Sequence, residues 1–305
     1  MCHSQGMTTE IFHEHRRLLV GVAYRILGSA ADAEDVVQEA WLRWSGVEHE
    51  SVADPKAYLI RVTSRLAIDR LRWAQSRRES YVGPWLPEPI VTTPDVAERA
   101  ELSDSVELAL LVVMERLSPL ERAVFVLREA FDLPFSEIAE VIGRSEAATR
   151  QLARRAREHV QEGRPRFDAD RVRRREITER FINAATSGDL EGLMALLSDG
   201  VTLVGDGGGK ARAPLRVLVG QMKVGRFLTS TASPSDIHKF MGSIGVEDYA
   251  DLAFDVVSVN GGPAAVISTG GRVVTVISLV VVDGRIDTIY LIANPEKMAH
   301  LHPEA

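Results

Sequence analysis

Hydrophobic positions recur at helical spacing through the first half of the chain and at strand spacing through its last third. In DAEDVVQEAWLRW, Val37, Ala40, Trp41 and Trp44 lie at i, i+3, i+4 and i+7, so one face turns inward. Asp35, Gln38 and Glu39 gather on the outer side. A second helix opens after Asp54-Pro55, with a stripe of Leu59, Val62, Leu66 and Arg70 beside one of Arg61, Arg65, Asp69 and Arg72. Further on, Ser118-Pro119-Leu120-Glu121 has the form of a capping box with Pro at the first helical position. Val124, Phe125 and Leu127 follow, Pro134 breaks the pattern, and a short helix carries Ile138, Ala139 and Ile142. Gly143 can close that helix in a left-handed conformation, and Ser145 caps the next. There Ala148, Leu152, Ala156 and Val160 are expected to face the core, leaving Glu146, Arg150, Arg154 and Arg157 outside and Arg144 at the turn.

Two short helices about a Gly-containing turn, the second studded with arginines, have the form of a helix-turn-helix. Such a helix places arginines against phosphates and guanine edges in a major groove. The competing reading is a solvated basic face. Net charge −7 over 305 residues argues against a protein that grips DNA alone, because stand-alone binders carry a basic excess. The arginines are local, which fits a factor that takes most of its DNA affinity from a larger machine.

Beyond GRPRFDAD (163–170) the character changes. One helix is expected with Ile177, Phe181 and Ala184 inward, and a shorter one, capped by Asp189, with Leu190, Leu193, Met194 and Leu197. Strand signals then dominate: ADLAFDVVSV, AAVIST, RVVTVISLVVV and RIDTIYLIA, joined by turns at Asn260-Gly261-Gly262, Gly270-Gly271 and Asp283-Gly284. Early helices followed by an antiparallel meander predict an α+β domain with helices on one sheet face.

Composition removes several classes. A single cysteine, Cys2, rules out an internal disulfide and fits a reducing cytosol. No apolar run approaches the roughly 20 residues of a membrane helix. The N-terminus lacks a signal-peptide pattern, and Met7 is a candidate start behind a disordered extension of six residues. The histidines, including His13, His15, His300 and His302, show no metal-site spacing. GDGGGK misses the phosphate-loop signature, since Val204 stands where its first Gly belongs and Ala211 follows Lys210. Asp206, Asp255 and His238 are the candidate bases for an enzyme, without a paired constellation.

AYRILGSAADAEDVVQEAWLRW followed by DPKAYLIRVTSRLAIDRLR resembles region two of an extracytoplasmic-function sigma factor of the sigma-70 family, and LSPLERAVFVLREAFDLPFSEIAEVIGRSEAATRQLARRAR resembles its region four. Trp85-Leu86-Pro87-Glu88-Pro89, Asp206 to Lys210 and Asn294 to Met298 are similar to motifs of the group that carries a fused SnoaL-like C-terminal domain and includes the sigma factor J type. The resemblance implies a multidomain chain: two all-α helical domains, then an α+β SnoaL-like, nuclear-transport-factor-two-like cone. The expected divisions are residues 1–80 (region two), 81–103 (a Pro-rich linker), 104–165 (region four) and 166–305 (the SnoaL-like domain).

It further implies that Asp35, Gln38, Glu39 and Trp41 dock on the clamp of the largest subunit of core RNA polymerase. Arg61, Arg65, Asp69, Arg70 and Arg72 would face the downstream promoter element, where a base is flipped from the duplex. Arg144, Ser145, Thr149, Arg150, Arg154 and Arg157 would meet the upstream element. Trp85, Leu86, Pro87, Asp206, Gly208, Lys210, Asn294, Pro295 and Lys297 would form an interdomain regulatory surface. No cofactor, catalytic residue or metal is implied. A small apolar molecule in the SnoaL-like pocket is a candidate ligand, and the free chain is expected to be a cytoplasmic monomer. The alternatives are a polymerase-independent repressor, and an enzyme or ligand sensor built on the C-terminal pocket.

Overall fold

The computed structural model describes residues 2–48, 52–92, 107–163 and 170–301. The chain divides into two compact units, residues 1–79 with 110–164, and residues 80–109 with 165–305. Residues 164–169 of the expected boundary stretch and residues 93–103 of the linker lie outside the described residues, as does His302.

The first unit is helical. It contains α1 (Cys2–Leu27), α2 (Ala30–Ser45), α3 (Pro55–Arg78), most of α4 (Leu108–Met114), α5 (Pro119–Glu129), α6 (Phe135–Ile142) and α7 (Glu146–Gly163). Helix α1 already runs from Cys2, where the sequence suggested a disordered extension. Local chemistry sets the helix starts. Ser29 accepts from the Asp32 amide, and Asp54 does the same for Ala57. Ser118 and Glu121 complete a reciprocal capping box. Gly143, at φ +65°, ends α6 as expected. Buried Leu19, Val22, Ile26, Val36, Val37, Trp44, Leu59, Leu66 and Leu71 fill the space among α1, α2 and α3. The Trp44 indole donates to the Thr8 carbonyl, so its one polar group is satisfied inside this core.

The two helical blocks pack together in this unit around Glu115. Its carboxylate accepts from both Arg78 and the fully buried Arg122. Arg122 also donates to the Arg25 carbonyl, 3.0 Å away. Burial lowers the Arg25 guanidinium to about 10, and it lies over the Phe131 ring. Burial also lowers Arg78, with Arg122 adding repulsion against the attraction of Glu115.

The second unit contains α8 (Arg171–Ser187), α9 (Leu190–Leu196), β1 (Leu197–Asp206), β2 (Leu218–Val219), α10 (Gln221–Thr231), α11 (Pro234–Ser243), β3 (Ala253–Val259), β4 (Gly262–Thr269), β5 (Arg272–Val282), β6 (Arg285–Ile292) and α12 (Pro295–Met298). Strands β3 to β6 form the expected antiparallel meander. Its tight turns carry positive φ at Asn260 and Gly261, Gly270 and Gly271, and Asp283 and Gly284, the backbone that primed hairpin turns demand.

The sheet is mixed rather than purely antiparallel, with order β2-β1-β6-β5-β4-β3 and β1 parallel to β6. Leu197, expected on the short helix, opens β1 instead. Its side chain is still buried, so the apolar signal was right and the element wrong. Phe181, Leu193, Leu203, Val224, Leu228, Ile277, Leu279 and Ile289 close one core, with helices packed on that sheet face.

Candidate nucleic-acid and polymerase interface

Along α2, Asp35, Gln38 and Glu39 are exposed while Ala33, Val36, Val37, Ala40 and Trp44 are buried. Trp41 is only half-buried and tilts against Phe12 at 5.0 Å between ring centroids. Phe12, Val37 and Trp41 form the apolar part of an open groove of about 370 Å³, bordered by His13, Gln38 and the Arg16–Glu34 ion pair. Polar rims around an apolar floor suit a protein partner more than a polyanion.

Helix α3 presents its arginines unevenly. Arg70 turns to the acidic helix, donating to Asp32 (2.8 Å) and Asp35 (2.9 Å), and the Asp32 hydrogen bond does most to raise its pKa. A DNA contact by Arg70, as the sequence expected, requires these pairs to be exchanged. Arg70 lies on the stripe of Leu59 and Leu66 that faces α2, so its charge locks two helices together. Arg72 pairs with Asp69 at 2.8 Å on the exposed side. Arg61 reaches Glu140 at 3.2 Å, and Arg65 donates to the carbonyls of Glu140 (2.6 Å) and Val141 (3.1 Å). Arg61 and Arg65, two of the four arginines of the predicted downstream-element face, are thus engaged by the C-terminal end of α6, where carbonyls collect negative potential.

On α7, Arg150, Arg154 and Arg157 are exposed and paired with Glu146, Glu158 and Glu129. Pairs this exposed contribute little stability, so phosphates can displace the glutamates at small cost. Arg144 is exposed at the turn, and Ser145 caps the Ala148 amide. Thr149 is a correction. It is 0 % exposed and donates to the Ser145 carbonyl, so it belongs to the core. The buried stripe is Thr149, Ala153, Ala156 and Val160. Strict steps of four, used to place Ala148 and Leu152 inside, advance 40° too far at each step of a 3.6-residue helix.

In the second unit the WLPEP segment packs on the C-terminal elements, and Asp206 is the point on which they meet. At 0 % exposure, its carboxylate accepts from the Tyr81 hydroxyl (2.6 Å), the Leu86 amide (2.8 Å) and the Lys297 ammonium (2.7 Å). Lys297, only 5 % exposed, also donates to the Leu86 carbonyl and sits 3.9 Å from the centroid of the Trp85 ring. Asn294 donates to Tyr81 at 2.8 Å and caps α12, in which Pro295 takes the first position. Burial and then the Asp206 carboxylate push the Tyr81 hydroxyl well above its usual pKa, so it stays a donor.

Gly208, at φ +60°, has no room for a side chain: an added Cβ would lie 2.4 Å from the Asn294 amide nitrogen. Lys210 reaches Glu296 at the surface, and Pro87 is buried. Farther along, His300 meets the Pro89 carbonyl, and Ile90 and Asn260 exchange hydrogen bonds. Sequence reading missed Tyr81 and Glu115. A phenol four residues before Trp85 was the available signal for the first, and nothing local marked the second. Of the candidate bases, Asp206 is consumed here, while Asp255 and His238 are exposed, the latter 3.2 Å from the Tyr249 hydroxyl.

Comparison with known proteins identifies the family of both helical blocks. The sigma-70 region 2 family matches residues 11–77, and the sigma-70 region 4 family matches residues 107–160. The chain is 39% identical over 296 residues to the ECF RNA polymerase sigma factor SigJ of Mycobacterium tuberculosis, covering 95% of this chain and 93% of that one. It is 42% identical over 190 residues to the probable ECF sigma factor SigI of the same species, covering 61% of this chain and 66% of that one. The crystal structure of SigJ superposes with a TM-score of 0.73 at 37% identity, covering 95% of this chain and 98% of that one. Two sigma regions in family order, followed by an α+β domain of the SnoaL-like kind, make this chain a member of the extracytoplasmic-function branch of the sigma-70 family, an RNA polymerase sigma factor.

Proposed function

We propose that α2 supplies the polymerase dock through Asp35, Gln38 and Glu39, with Trp41 and the groove beside it taking an apolar side chain of the clamp. Helix α3 serves the downstream promoter element through Arg61, Arg65 and Arg72, and α7 serves the upstream element through Arg144, Arg150, Arg154 and Arg157. Ser145 fixes the start of α7 rather than reading a base, and Asp69 holds Arg72 in place. The single observation behind this reading is the placement of exposed arginines on α3 and α7, each on a helix whose opposite face is buried. Because α6 occupies Arg61 and Arg65, promoter engagement requires those contacts to exchange for phosphates.

The C-terminal domain modulates this activity in cis through the Asp206–Lys297–Tyr81 centre, which pins residues 81–92 and so sets the path of the chain between regions two and four. The reading uses no small ligand and no catalytic residue. It places the chain in the cytoplasm as a monomer until core polymerase binds, and no helix among the described residues is long and apolar enough to cross a membrane. The boundaries at 80, 103 and 165 are proposed with it.

Run-off transcription tests this with core polymerase, a panel of promoters, the full chain and an Asp206→Asn variant. Core-dependent, site-specific transcripts are expected from the full chain, and a changed yield from the variant gives the sign of cis control. An unchanged yield from folded Asp206→Asn removes the centre from regulation. Tight promoter binding without any transcript favours a repressor.

A further inference from the structure

In a chain of net charge −7, the 29 residues from Gly207 to Ser235 hold five basic residues and no acidic one. Two of the five are spent locally, Lys210 on Glu296 and Arg212 on Asp236. The other three, Arg216, Lys223 and Arg226, are exposed, and their side chains make no hydrogen bond or ion pair among the described residues. Lys223 and Arg226 stand one turn apart on α10, whose inner face packs Val224 and Leu228 into the core. Arg216 lies just before β2, the edge strand that leads into that helix. Three unpaired cations thus flank the edge strand, one just before it and two on the helix that follows it.

The contrast with the first unit gives this its force. There Arg70, Arg72, Arg150, Arg154 and Arg157 all face carboxylates. Their use on DNA requires an exchange of partners, whereas Arg216, Lys223 and Arg226 need none.

We infer that this edge of the C-terminal domain, through Arg216, Lys223 and Arg226, is a third DNA-contacting surface that binds backbone phosphates of duplex DNA. The inference rests on the sigma-factor assignment, which makes promoter DNA the polyanion the chain meets. Duplex DNA carries about one charge per 1.7 Å of axis, and unpaired cations gain counterion release on meeting it. Contacts of this kind position the protein and read no sequence. The competing occupant is an acidic protein face, because Leu215 (65 % exposed), Val217, Val219 (57 % exposed) and Met222 are exposed in the same stretch.

The test measures promoter affinity of the holoenzyme, core polymerase with the full chain, across a range of salt concentrations. It compares the native chain with Arg216→Gln/Lys223→Gln/Arg226→Gln and with each single variant. The slope of log affinity against log salt is expected to become shallower by about 0.9 for each phosphate that is no longer neutralised. At low salt the triple variant should bind at least tenfold more weakly, with the same fold-loss on a scrambled duplex. All three residues are exposed, and the single variants carry the test if the triple variant has an altered melting temperature. An unchanged slope overturns the inference. So does a variant, including Val217→Ser/Val219→Ser, that weakens binding to core polymerase or changes oligomeric state while the slope stays put. If the native holoenzyme makes no promoter complex, the sigma reading has failed instead.

Discussion

The carboxylates of Glu115 and Asp206 both sit against cations, yet they are completed in different ways. Asp206 faces a single ammonium, and its other acceptor capacity is met by a phenol and a backbone amide. The ammonium in turn finds a carbonyl and an indole face, so the centre is neutral and well satisfied. Glu115 faces two guanidiniums, keeps 17 % of its side chain exposed, and leaves one Arg122 nitrogen without a hydrogen-bond partner among the described residues. One centre is a closed lock. The other carries surplus positive charge in a place that water still reaches. If promoter binding draws the two helical blocks apart, the unit that opens is the one held by the looser centre.

The comparison breaks most visibly at Asp206. Asp206→Asn leaves Lys297 buried without its counter-charge and should cost about 3–5 kcal/mol in denaturant unfolding of the C-terminal unit. The double change Asp206→Leu/Lys297→Met should cost less than the sum of the single ones, since a buried pair is often replaceable by apolar side chains. Equal and additive losses would show that the charges act independently. Glu115→Gln should cost the helical unit less, about 2 kcal/mol, because partial exposure softens the loss of a charged hydrogen bond. A loss as large as that at Asp206 would erase the distinction.

The smallest effect lies at the capping box of α5, at the exposed start of the helix that carries Arg122. Ser118→Ala should cost about 1 kcal/mol. Burial raises the Glu121 pKa, but the Ser118 hydroxyl and amide outweigh it and hold the carboxyl below its usual value. Its folded pKa is therefore below the unfolded one. The contribution is complete above the unfolded value near 4.5 and is lost as pH falls through the folded value. Glu121→Gln should flatten that acid limb in a pH series of melting temperatures.

Where the sequence spoke through local chemistry it was legible. The capping box at Ser118, the left-handed Gly143 and the three hairpin turns announce themselves within four residues. Thr149 was misplaced because steps of four drift around a helix. Strand β1 and helices α10 and α11 escaped because Gly-rich flanks and short apolar runs leave period 2 and period 3.6 hard to separate. The convergence of Trp85, Leu86, Asp206, Asn294 and Lys297 was suspected only from atypical segments. The geometry that joins them needs contacts up to 211 residues apart, and no window of sequence contains such contacts.

Those separations also set an order of events at the ribosome. The helical unit is complete once residue 164 has emerged. Leu86 cannot meet Lys297 until more than 130 further residues have been made, which takes roughly 7–27 s at about 5–20 residues per second. In that interval the WLPEP segment has neither of its charged partners in its finished setting. A newborn molecule therefore passes through a stage with both sigma regions present and the strap still loose, and any control that the strap exerts begins only after residue 297 has been made.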